Sequence, residues 1–130
     1  MTHYWLLKGG AAPEKESGES GEASHEGVDE RAIRCVACSA MLTFEQFGVE
    51  VDGAFEHRCM NPHGIFFRIQ CYGSAPGVRG EGPKVGFWSW FKGYGWQVAE
   101  CSSCACHVGW RFTKGATMFF GLIADELNHP

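Results

Sequence analysis

The chain has 130 residues, 45% hydrophobic and 20% charged, with a formal net charge of −4. That supports one packed domain and not two comfortable ones. The acidic balance argues against a nucleic-acid binder, which needs a dense basic footprint, and no apolar run reaches the roughly 18 residues of a membrane-spanning helix.

The first ten residues, MTHYWLLKGG, hold only a short apolar patch with no basic residue before it, too short for a signal-peptide core. The expected location is therefore the cytoplasm, where cysteines stay reduced. Residues 9–31 are rich in Gly, Ser and Glu, with Val28 the one large aliphatic side chain. Such a segment cannot bury enough apolar surface to offset its ordering entropy, so residues 1–31 are expected to be a disordered leader. His3 and His25 are expected to be solvated, and nothing assigns a docking place to Tyr4–Leu7. The folded domain is expected over residues 32–130.

From Ala32 onward the pattern is β-rich, with glycines punctuating short aromatic and β-branched runs. TFEQFGVE (43–50) is ambiguous between a helical turn and a strand. GIFFRIQCY (64–72) reads as a strand with Ile65, Phe67, Ile69 and Cys71 on one face. APGVRGEGPK (75–84) reads as an exposed loop, and KVGFWSWF (84–91) as a strand. KGYG (92–95) has turn composition, and WQVAEC (96–101) returns as a strand. HVGWRFT (107–113) and TMFFGLI (117–123) supply two more, and ADELN ends the domain in a helical turn.

The seven cysteines are an odd count, which fits a disulfide framework poorly. CVAC (35–38) and CSSC (101–104) are two Cys-x-x-Cys turns, each able to aim two sulfurs at one point. Together they form a closed thiolate cage suited to one structural zinc ion, on Cys35, Cys38, Cys101 and Cys104. Cys106 and His107 lie beside the second pair, but the regular spacing favours Cys101 and Cys104. Cys59 and Cys71 read as small core residues. His57, His63 and His107 are each metal-competent, although a satisfied histidine is commoner, and His129 lies near the chain end.

WSWFKGYGW (88–96) packs three tryptophans into nine positions, and Trp110 follows. A plain aromatic core is the simpler account of clustered rings. Ten phenylalanines are already available to fill a core, however. Several indole faces around one point make a box for a flat ring or a cation. No acidic residue falls between Val85 and Ala99, which favours a neutral ring read at its edge by backbone groups.

NPHG (61–64), WSWFKGYGWQVAEC (88–101), CHVGWRF (106–112) and FFGLI (119–123), with the two Cys-x-x-Cys turns, resemble the CULT domain. This is the thalidomide-binding domain type of cereblon, which also occurs as single-domain bacterial proteins. The match runs from about Arg34 to about Leu127, and the length and leader are similar to a bacterial member. The resemblance implies an all-β fold of two antiparallel sheets pinned by one zinc ion, a β-tent. It implies zinc on the four cysteines and a cage of Trp90, Trp96 and Trp110 closed by Phe112. In the family that cage holds the glutarimide ring of thalidomide-like molecules, related cyclic imides and some ureides. Backbone at Trp88 and at Trp90 would bind the imide edge. Asn61 and His63 match positions near the mouth, and Phe67 an aromatic lining it. Trp88 stands where His or Phe is usual. The Lon-like domain of eukaryotic cereblon has no counterpart here, so the resemblance implies no ubiquitin-ligase partner.

The reading is a non-catalytic module for a cyclic imide, a cyclised peptide C-terminus, or a uracil- or ureide-like ring, with no nucleic-acid or membrane partner. Two alternatives compete. RCMN (58–61) faintly resembles the catalytic segment of type B methionine sulfoxide reductases, making Cys59 a nucleophile. There the reactive cysteine follows both metal pairs, whereas Cys59 lies between them. A methylated-cation reader would use the same box for a charge.

Overall fold

The computed structural model describes residues 31–130. Apart from Arg31, the leader expected over residues 1–31 lies outside the described residues, as do Tyr4–Leu7, His3 and His25.

Nine strands occur in chain order: β1 (Ala32–Cys35), β2 (Met41–Phe44), β3 (Glu56–Met60), β4 (Phe66–Tyr72), β5 (Val78–Val85), β6 (Gly95–Cys101), β7 (His107–Lys114), β8 (Thr117–Ile123) and β9 (Leu127–Asn128). They form two antiparallel sheets. The smaller has the order β2-β1-β9 and the larger β3-β4-β8-β7-β6-β5. The described residues contain no α-helix, only 3-10 turns at Glu45–Phe47 and Ala124–Glu126. The expected all-β, two-sheet fold is what the chain adopts.

Alternation places the side chains. Trp96 pairs with Phe112 and Val98 with Trp110 across β6 and β7, while Phe112 pairs with Phe119 across β7 and β8. Paired residues share a face, so the large sheet gathers its aromatic rings on one side. Its other side carries Tyr72, Ala99, Phe120 and Leu122, which pack with Ile33, Leu42 and Leu127 of the small sheet. The inter-sheet core is therefore mostly aliphatic, and the aromatic cluster lies beyond it.

Gly77 joins the layers. Its N–H donates to the Leu42 carbonyl, and its own carbonyl accepts from the Ser102 N–H, both at 2.9 Å. A Cβ here would collide with the Met41 carbonyl oxygen, so only glycine lets these backbones approach.

Two expected elements change places. Residues 78–84, expected within a Gly/Pro-rich loop, form β5 together with Val85. This strand lies at the sheet edge, where Pro83 sacrifices no essential ladder bond. Its register breaks between Glu81 and Val85, and Gln97 Nε2 supports the break by donating to the Gly82 carbonyl at 2.8 Å. Residues 86–91, expected to continue a strand from Lys84, form a loop instead. Ser89 Oγ accepts from the Phe91 N–H at 3.3 Å and donates to the Phe91 carbonyl at 3.1 Å, a local side-chain turn that competes with extended structure. Tyr94 N–H then returns to the Phe91 carbonyl at 3.0 Å, with Gly93 at φ 84 as a type II turn requires. Ile65, expected on the strand with Phe67, precedes β4 and is exposed.

Candidate functional site

The two Cys-x-x-Cys turns share one local geometry. In the first, Ser39 N–H donates to the Cys35 carbonyl at 2.8 Å and Cys35 N–H to the Ala40 carbonyl at 2.9 Å. In the second, Ala105 N–H donates to the Cys101 carbonyl and Cys101 N–H to the Cys106 carbonyl, both at 2.9 Å. Ser39 and Ala105, each four residues after the leading cysteine, adopt left-handed backbone at φ 69 and φ 66. That reversal curls the amides of Ala37 and Cys38 toward the Cys35 sulfur, and those of Ser103 and Cys104 toward the Cys101 sulfur. Amide dipoles aimed at sulfur favour the thiolate, the form that binds metal.

The four Sγ atoms lie within 4.8 Å of one another. Cys35 and Cys104 are 3.8 Å apart, and Cys38 and Cys101 3.7 Å. A tetrahedron with Zn–S bonds of about 2.3 Å has an edge of about 3.8 Å. The spacing fits one zinc ion, and it is far too long for disulfides. The group is thus positioned to bind a single metal ion, with all four tetrahedral positions filled by sulfur, as in a structural site. Its geometry draws together β1 and β2 of the small sheet with β6 and β7 of the large one.

Neighbouring candidates do other work. His107 is buried, with Nε2 hydrogen-bonded to the Gly109 carbonyl at 2.8 Å and its ring edge-on to Trp110 at 4.8 Å. His57 Nε2 contacts the Val51 and Ala54 carbonyls at 2.9 and 3.0 Å, closing the turn before β3. Burial pushes the Cys106 thiol up to about 11, with further upward pressure from Cys104, so it stays protonated beside the cage.

On the far face of the large sheet, the rings of the expected cage converge. Trp90 packs edge-on to Trp110 at 4.8 Å between centroids, and Phe67 meets Trp110 at 5.2 Å. Trp90 and Phe112 are 6.4 Å apart. Trp96 belongs to the same cluster and is 1% exposed, while Trp110 is 0% exposed. The cluster is tightly packed, with half-buried Trp90 on its outer side. Behind it stand Phe91 and Phe119, which pack on Phe112 at 4.9 and 5.0 Å. Neither was singled out from sequence; the alternation of Phe119 with Gly121 in β8 was the available signal.

The indoles are anchored by their N–H groups. Trp90 Nε1 donates to the Met60 carbonyl at 3.0 Å, and Trp96 Nε1 to the Phe87 carbonyl at 2.8 Å. Trp88 is 46% exposed, on left-handed backbone at φ 60, with its ring 6.4 Å from that of Phe87. A bulky residue held there stores strain on the order of 1–3 kcal/mol, a feature concentrated at ligand sites.

NPHG forms the tip of the β3–β4 hairpin. Asn61 is fully buried, and its Oδ1 accepts from the His63 and Ile65 N–H groups, both at 2.9 Å. Its Nδ2 is buried with no partner among the described residues. His63 is exposed at the tip. Phe67 is 6% exposed and packs among the cage rings rather than at a rim. Cys59 sits on β3, partly buried, and desolvation pushes its thiol up to about 11. Such a shift disfavours the thiolate, and so does not favour the reductase alternative.

A two-sheet β domain with a four-cysteine group positioned to bind one metal ion, and an aromatic cluster on its outer face, is the class these features define. No protein-family model matches the chain. It is 34% identical to protein cereblon of Drosophila erecta over 113 residues, 77% of this chain and 18% of that protein. It is 33% identical to the Drosophila melanogaster protein over 110 residues, 76% of this chain and 18% of that one. To chicken (Gallus gallus) cereblon it is 37% identical over 73 residues, 52% of this chain and 16% of that protein. The chain thus spans less than a fifth of these relatives' length. It carries a cereblon-like domain, as its resemblance to the CULT type implied. No helix among the described residues is long and apolar enough to cross a membrane.

Proposed function

We propose that this domain is a non-catalytic binding module that holds a neutral cyclic imide, or a uracil- or ureide-like ring, among Trp90, Trp96, Trp110 and Phe112. The observation that carries the reading is the convergence of these rings on one sheet face, with strained Trp88 beside them. A ring enters when Trp90 swings off Trp110, because Trp90 alone of the three cage indoles is not fully buried. Its apolar face then stacks on indole, and its imide edge meets backbone groups of residues 88–90, which lie in a loop and are not consumed by a sheet ladder.

Asn61 extends the polar rim. Its unpartnered amide N–H lies on the segment that follows Met60, whose carbonyl anchors Trp90. An acceptor on the ligand would relieve a buried donor that otherwise costs about 1–3 kcal/mol. The same residues supply no nucleophile or acid–base pair, and the raised Cys59 thiol removes the nearest candidate. The stretch from Val85 to Ala99 holds no carboxylate, which disfavours a cation reader.

The test is a tryptophan-fluorescence titration with glutarimide, uridine and a trimethylammonium compound. Saturable quenching by glutarimide and not by the cation supports the reading. A response to the cation alone overturns it.

A further inference from the structure

The two sheets leave four edges, β2, β9, β3 and β5, and three of them are poor templates for another strand. β5 is interrupted by Pro83 and by the register shift between Glu81 and Val85. On β2 the Leu42 carbonyl already accepts from the Gly77 N–H, and β9 is two residues long. β3 differs. It is five residues in unbroken register with β4, and among the described residues no strand lies on its other side. Asn61 N–H donates to the Ile65 carbonyl and Cys71 N–H to the Phe55 carbonyl, both at 2.9 Å, one bond beyond each end of the strand. Alternation between them turns the backbone groups of His57 and Cys59 toward β4 and those of Glu56, Arg58 and Met60 outward. The Met60 carbonyl is accordingly free to accept from Trp90 Nε1. The outward N–H groups of all three residues, and the carbonyls of Glu56 and Arg58, have no strand to pair with among the described residues.

The side chains beside this edge stand on the sheet face away from Cys59 and Phe67. Met60 pairs there with Phe66, and Arg58 with Arg68. Met60 is 46% and Phe66 53% exposed, and the Arg58 guanidinium lies 4.2 Å from the Phe66 ring centroid. Arg68 meets Glu56 and Asp125, whereas Arg58 has no ion pair among the described residues. An open edge bordered by exposed apolar side chains invites pairing with another chain unless something covers it. A second copy is a poor cover, because β3 paired with β3 about a two-fold axis at Arg58 sets two uncompensated guanidinium groups opposite each other.

We propose that the chain's own segment Tyr4–Leu7 covers this edge, adding to β3 as a further strand with Trp5 over Arg58 and Phe66 and Leu7 beside Met60. Strand addition takes its affinity from main-chain bonds and its specificity from alternate side chains, and indole is the ring that best receives a cation on its face. Tyr4–Leu7 is an uncharged apolar run. Residues 8–31 tether it to β1; fully extended they reach about 80 Å, against a radius of gyration of about 13 Å for a domain of ~100 residues. Such a link holds the segment at an effective concentration on the order of millimolar, so the contacts of one short strand suffice. The tether carries seven acidic and three basic residues, a balance that favours its passage beside Arg58.

The experiment is amide hydrogen exchange of the full chain, followed residue by residue by NMR, in the parent and in a variant combining Trp5→Ser with Leu7→Ser. The amides of Glu56, Arg58 and Met60 are expected to exchange about tenfold faster in the variant, while those of β6 and β7 keep their parent rates and report an intact fold. Phe66→Ser, which removes the apolar contact from the domain side at an exposed position, is expected to speed the same three amides. Equal exchange of these amides in parent and double variant, whether fast or slow, overturns the proposal. Protection that rises with protein concentration, together with a dimer in sedimentation, assigns the edge to a second copy and overturns it as well.

Discussion

Replacing Cys101 by serine tests the metal centre directly. The cage joins sulfurs separated by 63 to 69 residues, Cys38 to Cys101 and Cys35 to Cys104. Treated as a cross-link closing a loop of that length, it removes chain entropy from the unfolded state worth about 4 kcal/mol at 25 °C. Domains of this size are stable by only about 5–15 kcal/mol in total. At roughly 4–8 °C per kcal/mol for a domain of up to ~100 residues, the midpoint should fall by about 15–30 °C. The assay is thermal unfolding by circular dichroism, paired with metal analysis by mass spectrometry. The parent should carry one zinc per chain and Cys101→Ser much less, while Cys106→Ser should match the parent in both. An unshifted midpoint in Cys101→Ser, or purified parent protein without zinc, refutes the reasoning.

Other outcomes follow from single residues. Trp96→Ala should abolish glutarimide-dependent quenching of the remaining tryptophans and also lower stability by about 3–5 kcal/mol, whereas Trp96→Phe should fold near normally and bind weakly; retained affinity in the alanine variant contradicts the box. Gly77→Ala forces a Cβ into the Met41 carbonyl and should shift the urea midpoint by the equivalent of about 1–3 kcal/mol. Cys59, with its thiol near 11, should react with iodoacetamide at pH 7.5 about two orders of magnitude more slowly than an unhindered peptide thiol, followed by mass spectrometry. The Glu56 carboxyl is held below its usual range, first by the Gln70 amide and then by Arg68. Its folded pKa is depressed, so its contribution is present above about pH 4.3, the unfolded value, and is lost as pH falls through the folded one. Glu56→Gln should flatten that acid limb in pH-dependent unfolding, by a small amount because the pair is exposed.

Legibility in the sequence tracked how completely each segment's local pattern agreed with its place in the fold. β4, β6, β7 and β8 could be read because they lie inside the sheet and alternate or run apolar. β5 was hidden by Gly80, Gly82 and Pro83, residues an edge tolerates and a central strand does not. β3, with only His57 and Cys59 turned inward, offers too little apolar signal to stand out. The four metal cysteines were legible because a Cys-x-x-Cys turn is a local geometry repeated twice. The loop conformation of Trp88 and Trp90 was not, because β-forming residues there were overruled by the Ser89 turn. The buried, half-satisfied amide of Asn61 depends on chain reversal around Gly64 at φ 86, and no composition reports that.

The matched pair of cysteine turns has a consequence for biosynthesis. Each turn joins two strands that pair directly, β1 with β2 and β6 with β7, so each can take shape without the other. A ribosome delivers the first as an exposed dithiol long before the second exists. The nascent chain thus offers a labile two-sulfur foothold for a metal ion, exchangeable with cellular thiols, and retention begins only when the second hairpin arrives to close the coordination sphere.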